Sequence, residues 1–356
     1  MPLVAHSNLP SFKRLQREGE TIVSGNQAVR QDIREMHIGL LNMMPDAALE
    51  ATERQFLRLV GGSNRIAQFY VHPFTLKEIK RGEKAQNYVD QYYETFEQLK
   101  EAGLDALIIT GANVSQPNLS QEVFWEPLIK IIDWALESVT SVICSCLATH
   151  AVMQFRHQQR RKPLANKCWG VFKHEVVDRQ HPLVMGVNTL FDVPHSRFNA
   201  VTREQFEQAG LHVLVESEQA GVHLAVSQDL FRVVYFQGHP EYDTISLLKE
   251  YKREVIRFYR GESVRYPPFP ANYFRLQLQA VLDEYQDEVV WAKNQGLPLP
   301  VFPEEFVSCS LHNTWRDSAG AVINNWLGRV YMTTNNDRKL PFMDNIDPND
   351  PLGLRK

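Results

Sequence analysis

The sequence predicts an α/β protein in which a mostly parallel, doubly wound sheet is covered by helices on both faces. Two observations carry this expectation. Short β-branched runs alternate with helical patterns through the first half of the chain, the rhythm of βαβ units. With 356 residues, 44% hydrophobic and 22% charged, the chain can also bury one large core with an added lobe. "HIGLLNMM" (37–44) is the first candidate buried strand. In "DAALEATERQFLRLVG", which follows it, Leu49, Phe56, Leu57 and Val60 fall near helical spacing. "IAQFYVHPF" (66–74) is a second strand, and "QYYETFEQLKEAG" (91–103) a helix stopped by glycine. "DALIITGA" (105–112) is a third strand, and the helix "WEPLIKIIDWALESV" (125–139) leads into a fourth, "TSVIC" (140–144).

The second half reads differently. "LHVLVES" (211–217), "GVHLAVS" (221–227) and "FRVVYFQGHPE" (231–241) lie close together and predict an antiparallel meander at the edge of the sheet. A helix over 243–262 follows, with Asp243 as its N-cap and Leu247, Leu248, Tyr251, Val255 and Phe258 as its apolar stripe. A proline-rich stretch, "YPPFPANYF", separates it from a last segment, "LHNTWRDSAGAVINNWLGRVYMTT". The chain therefore divides into an N-terminal arm (1–35), a principal domain (36–262), a helical C-terminal extension packed on it (263–336) and a loosely ordered tail (337–356).

A formal net charge of -4 spread along the chain argues against a nucleic-acid surface. No window approaches the ~20 apolar residues of a membrane helix, and "MPLVAHSNLPSFKRLQREGE" lacks the apolar core of a signal peptide. The one basic cluster, "RHQQRRKP" (156–163), reads as a solvated loop, the alternative being a steering patch for an anionic ligand. Four cysteines at 144, 146, 168 and 309 make no disulfide framework and no zinc spacing, so no metal is expected. A reduced, cytoplasmic protein is the expectation, and there a special cysteine is more often catalytic than structural.

In doubly wound sheets ligands bind at the carboxyl ends of strands. Cys146 stands just past the end of "TSVIC", before the helix-compatible "LATHAVMQF", at a helix N-terminus that favours thiolate. Cys144 falls inside the apolar run and is expected to be buried and inert. A thiolate nucleophile needs a base, and the base an orienter. "FQGHPEYD" (236–243) supplies both, because His239 and Glu241, two apart in extended chain, point the same way.

These residues resemble a known group. "SCLATHAV" and "GHPEYD" are similar to the nucleophile and His-x-Glu motifs of class I glutamine amidotransferase-like proteins, and imply their flavodoxin-like fold. Within that group the chain resembles the homoserine O-acyltransferase family, in particular its homoserine O-succinyltransferase branch. "LLNMMP" (40–45), "RQFLRLV" (54–60), "ITGANV" (109–114), "PHSR" (194–197), "GHPEYDTISLLKEYKRE" (238–254) and "HNTWRDSAGAVINNWL" (312–327) follow its landmarks in order over about 35–330. The resemblance implies ping-pong transfer of a succinyl group from succinyl-CoA, a co-substrate, to L-homoserine, the committed step of methionine biosynthesis. No cofactor is implied, and a homodimer is. Cys146 becomes the nucleophile, His239 the general base and acid, and Glu241 its partner. Glu250 and Arg253 match a pair suited to an amino-acid zwitterion, and Lys167 and Ser196, beside Arg197, fall on substrate-contacting positions.

Two departures stand out. The family carries a lysine just after the "LNLMP" strand, where this chain has Asp46 and two extra residues before the helix; the missing charge must come from elsewhere, such as backbone amides, or the loop is arranged differently. "TGAP" becomes "TGAN" at Asn113. Ser115 occupies a position where the family has glycine or glutamate. A small neutral residue leaves room for a succinyl carboxylate and can donate to it, which favours succinyl over acetyl. The rival readings are an acetyl-CoA-dependent enzyme, an enzyme with serine as acceptor, a glutamine amidotransferase, and a binding protein that kept the fold without catalysis.

Overall fold

A computed structural model describes residues 3–30, 33–63 and 66–355. The N-terminal arm contributes β1 (Leu3–Ala5), α1 (Pro10–Arg17), β2 (Ile22–Ser24) and α2 (Gly25–Ala28). The principal domain opens with β3 (Glu35–Met43), α3 (Asp46–Ser63), β4 (Gln68–Phe74), α4 (Glu83–Tyr92), α5 (Phe96–Ala102) and β5 (Ala106–Ala112). There follow α6 (Trp125–Ser138), β6 (Ser141–Ser145), α7 (Leu147–His157), β7 (Lys162–Val176) and β8 (Leu190–Ala200). The remainder comprises α8 (Arg203–Gln208), β9 (His212–Ser217), β10 (Gly221–Val226), β11 (Val233–Phe236) and α9 (Ser246–Tyr259). The C-terminal extension supplies α10 (Leu276–Gln295), α11 (Glu304–Cys309) and α12 (Arg316–Thr333).

All eleven strands form one sheet, in the order β2-β1-β4-β3-β5-β6-β11-β10-β9-β7-β8. From β2 to β11 every pairing is parallel. The central strands are buried along most of their length, as continuous apolar runs in a sheet covered on both faces must be. From β11 onward the pairing is antiparallel. The fold is therefore α/β with a largely parallel central sheet, as expected, with two apolar layers on its faces. A third cluster joins α9 to α10, α11 and Trp169 of β7.

Several expectations need correction. The meander β9–β11 is not at the edge: β11 pairs with β6 in the middle of the sheet, and β7 and β8 lie outside β9. These two long strands escape a search for apolar alternation because the first half of β7, "KPLANK", is polar and largely exposed. The segment 91–103 is two helices, not one. Extended Tyr93 separates them, and Thr95 starts the second with a capping box to Gln98. The helix expected at 243 begins at Ser246 without a side-chain cap, because the Asp243 carboxylate is turned away to Arg58. The arm is built into the sheet edge through β1–β4 pairing. The described residues after 337 form no helix or strand, yet they are held in place. Phe342 is buried, its carbonyl accepts from Asn335, the Arg232 guanidinium lies 4.9 Å from its ring centre, and the Pro341 carbonyl accepts from Thr140.

Among the described residues, one group has donor atoms close enough to suggest a metal: His6, His72 and Glu94, within 4.8 Å of one another. Its closest pair, His72 Nδ1 and Glu94 Oε1, is 2.5 Å apart. Two ligands of one tetrahedral zinc ion stand roughly 3.3 Å apart, so this is a hydrogen bond. With His37 on the other nitrogen of His72 at 2.9 Å and the His6 ring tilted against it, centres 4.6 Å apart, the group clamps the arm to β3 and β4.

Candidate active site

The parallel strands β5, β6 and β11 end side by side, and the chemistry-bearing residues collect just beyond them. Cys146 is the one residue between β6 and α7, with φ 51° and ψ -104°. A non-glycine residue in that region is held there by its surroundings. Here its amide donates to Phe236 O at 2.8 Å, and Thr149 Oγ1 donates to Cys144 O and Phe236 O at 2.8 and 2.9 Å. The turn raises the sulfur out of the sheet onto the N-terminus of α7, where the first amides lack helical partners and favour negative charge. Cys146 is partly exposed, whereas Cys144 is fully buried and burial raises its thiol pKa, as expected of an inert core residue.

The base comes from the next strand. The His239 amide donates to Pro194 O at 2.8 Å, so the "PHSR" strand β8 sets the height of the catalytic loop. His239 Nδ1 lies 2.8 Å from Glu241 Oε1, and Cys146 stands near enough to the ring to act on its charge. Sequence positions 146, 239 and 241 therefore meet as one relay. Burial works against a charged imidazole here, but Glu241 and Cys146 outweigh it and hold the His239 pKa well above its ordinary value. A protonated imidazole is the state this favours. Gly238 permits the approach. A Cβ there would stand 2.6 Å from Val193 Cγ1, 2.8 Å from His223 Nδ1 and 2.9 Å from His195 Cε1.

Beside the relay lies a charged pocket. Glu250 of α9 accepts from Ser196 Oγ at 2.6 Å, Tyr242 Oη at 2.7 Å and Lys167 Nζ at 3.3 Å. Its burial would raise its pKa, but Lys167, Ser196 and Tyr242 outweigh that and keep it ionised. Lys167 itself stacks over Trp169, 4.1 Å from the ring centre. Three expected residues (Lys167, Ser196, Glu250) are thus brought together. Arg253 is not part of that network: its side chain is 56% exposed and faces Glu254. Arg197 is spent inside the sheet on His195 Nδ1, Asn199 O and Ala220 O.

Tyr242 was not singled out from the sequence, although it stands inside "GHPEYD". It both bonds Glu250 and stacks on His239, with ring centres 4.3 Å apart at 18°. Trp315, in the C-terminal "HNTW", donates its indole N–H to Tyr242 O at 2.8 Å, so the extension braces the catalytic loop.

The two departures have structural counterparts. Asp46 accepts from Arg81 and from the Gly82 amide, and buried Arg81 also reaches Met44 O and Thr75. The loop after β3 is thereby tied to residues 75–82. It still borders Cys146, since a Cβ at Gly111 would lie 3.6 Å from Met44 Sδ and 3.9 Å from Cys146 Cβ. Ser115 does not offer a free hydroxyl. Its Oγ lies 3.2 Å from Glu122 Oε2, and its amide and that of Gln116 both donate to Glu122 Oε1 at 2.6 Å.

No described helix is long and apolar enough to cross a membrane. The family model for homoserine O-succinyltransferase matches residues 2–336. A homoserine O-succinyltransferase of Nitrosococcus oceani is 65% identical over 356 residues, covering 100% of this chain and 99% of that protein. One of Allochromatium vinosum is 63% identical over 354 residues, covering 99% of each. A glutamine amidotransferase structure from Methylobacillus flagellatus aligns over 83% of this chain and 95% of its own, with TM-score 0.42 and 11% identity.

Proposed function

Because the chain belongs to the homoserine O-succinyltransferase family, we propose that it moves the succinyl group of succinyl-CoA to the γ-hydroxyl of L-homoserine, through an acyl-enzyme on Cys146. The observation that carries the mechanism is the Cys146–His239–Glu241 relay at the strand ends, opening beside the Lys167–Ser196–Glu250 pocket. The Cys146 thiolate attacks the thioester carbon. The oxyanion is held by the Leu147 amide and amides of the Gly111 loop, donors placed in advance for the charge that develops. The carbon–sulfur bond to CoA breaks, and His239 gives its proton to the departing thiolate. Neutral His239 then takes the proton of the homoserine hydroxyl as its oxygen attacks the acyl-enzyme, and Cys146 leaves as thiolate. Acid–base help of this kind is worth roughly 10²–10⁴-fold. Glu241 holds the ring with Nδ1 inward, so the other nitrogen serves both transfers.

Lys167 supplies positive charge for the substrate carboxylate, and Glu250 negative charge for its ammonium. Succinyl-CoA is a co-substrate, and the scheme calls for no cofactor. We place the reaction in the cytoplasm, supported by four unpaired cysteines, and assign a homodimer on the family's precedent. It makes O-succinylhomoserine for methionine biosynthesis. The test is to mix the protein with homoserine and either succinyl-CoA or acetyl-CoA and follow CoA release, then to look for acylated protein by intact mass. Wild-type protein should form a succinyl-enzyme in the absence of homoserine, and Cys146→Ala should form none. Acylation persisting in that variant would move the nucleophile elsewhere.

A further inference from the structure

A succinyl donor differs from an acetyl donor by a carboxylate two methylenes beyond the reacting carbon. When Cys146 attacks, that charge must lie within a few ångströms of the sulfur, and a charge taken from water without partners is strongly disfavoured. The expected partner, Ser115, is already committed to Glu122, as is the Gln116 amide. Glu122 is buried and carries the wrong sign. A cation must therefore stand on this side of the nucleophile.

Two arginines feel the charge of Cys146, Arg161 and Arg197. Arg197 has all three nitrogens engaged, and Lys167 is held by Glu250 on the homoserine side. Arg161 is different. It lies between the end of α7 and the start of β7, close enough to both Glu122 and Cys146 to feel each of them. Its Nη2 makes one long bond, 3.4 Å, to Gln116 O. Its Nε is buried and has no partner among the described residues. Nε and Nη2 are the two donors of one guanidinium edge, the fork that matches a carboxylate with two parallel hydrogen bonds. A buried donor without an acceptor, beside a nucleophile, is a place prepared for one.

We infer that Arg161 is the donor-specificity residue of this enzyme, receiving the terminal carboxylate of the succinyl group on its Nε–Nη2 edge. The assignment rests on the succinyltransferase reading above. It also gives the basic cluster at 156–163 a use: one of its arginines turns inward while Arg156 faces Asp133 at the surface. Glu122 orders the 115–116 loop, and Arg161 offsets its repulsion of the incoming carboxylate.

The test compares wild-type, Arg161→Gln and Arg161→Lys with succinyl-CoA and acetyl-CoA at saturating homoserine. Arg161→Gln should lower kcat/KM for succinyl-CoA roughly 10²–10³-fold, as expected when a polar site loses its matching group. Acetyl-CoA turnover should change at most a few-fold, and the homoserine KM should hold. Arg161→Lys, which keeps the charge without the fork, should fall between. If both donors lose rate together, Arg161 is structural and the assignment is overturned; an unchanged succinyl-to-acetyl ratio overturns it as well. The two failures separate in the wild-type arm. Protein that acylates homoserine from neither donor defeats the functional reading, whereas a succinyl preference unmoved in Arg161→Gln defeats only the role of Arg161.

Discussion

Gly238 shows how much of the site hangs on single atoms. The residue before the His239 imidazole has Val193, His223 and His195 so close that any Cβ overlaps all three. The first is a β-branched side chain in a strand and the others are buried rings, so none yields cheaply. Gly238→Ala should therefore displace His239 from the sulfur, and a misplacement of about 1 Å is worth roughly 10²-fold in rate. Overpacking of this kind destabilises by about 1–3 kcal/mol. We expect kcat to fall 10²-fold or more while the protein still unfolds cooperatively; full activity in the variant would show that the loop has slack the geometry does not suggest. The residues of the relay were legible in the sequence because their chemistry is tied to strand ends. The three-sided crowding of Gly238 was not, since Val193 and His195 of β8 and His223 of β10 meet it only through the order of strands in the sheet.

At the scale of elements, the Lys167–Ser196–Glu250 cluster, proposed above to hold the amino acid, is where hairpin β7–β8 meets helix α9. Lys167 and Ser196 come from the hairpin and Glu250 from the helix. One carboxylate accepts three donors, so it fixes the distance between the two elements as well as the charge of the pocket. Glu250→Gln keeps the shape but removes the counter-ion of Lys167, whose burial already lowers its pKa. The homoserine KM should rise about 10–100-fold, as removal of a buried charged hydrogen bond implies, with a smaller change in kcat. An unaltered KM would mean that Glu250 only fastens α9. Helix α9 could be read from its apolar stripe, of which Leu247, Leu248, Tyr251 and Val255 are buried. The hairpin could not. Its first half is exposed and polar, its second half pairs on both sides, and no single period of apolar residues runs through it. The stretch 91–103 reads as one helix although it holds the end of α4 and all of α5, because only the Thr95–Gln98 capping box marks the break.

For the molecule as a whole, the burial of histidines makes stability depend on pH. His150, His174 and His181 are all buried, and burial is the first cause of their lowered pKa values, about 3 for His150 and about 4 for the other two. His150 faces Gln237, which pins the end of β11 to residues 201 and 222; His174 touches His195; His181 caps the turn at 182–184. Each ring is neutral in the folded protein, and in the unfolded chain each takes up a proton near pH 6.5. Their stabilising contribution is complete above that pH and is lost as pH falls toward about 4, because acid then favours the unfolded chain. Between pH 7 and pH 5 each ring gives up about 2 kcal/mol. Three together lose about 6 kcal/mol, a large part of the 5–15 kcal/mol typical of a folded protein. Urea midpoints measured at pH 7.5, 6 and 5 should drop steeply over the last interval. His150→Gln, which can keep a hydrogen bond to Gln237 but cannot charge, should reduce that drop by about 2 kcal/mol. Midpoints that stay level down to pH 5 would mean that these rings meet compensating charge on acidification, and that the sheet's buried histidines are not what sets its lower pH limit.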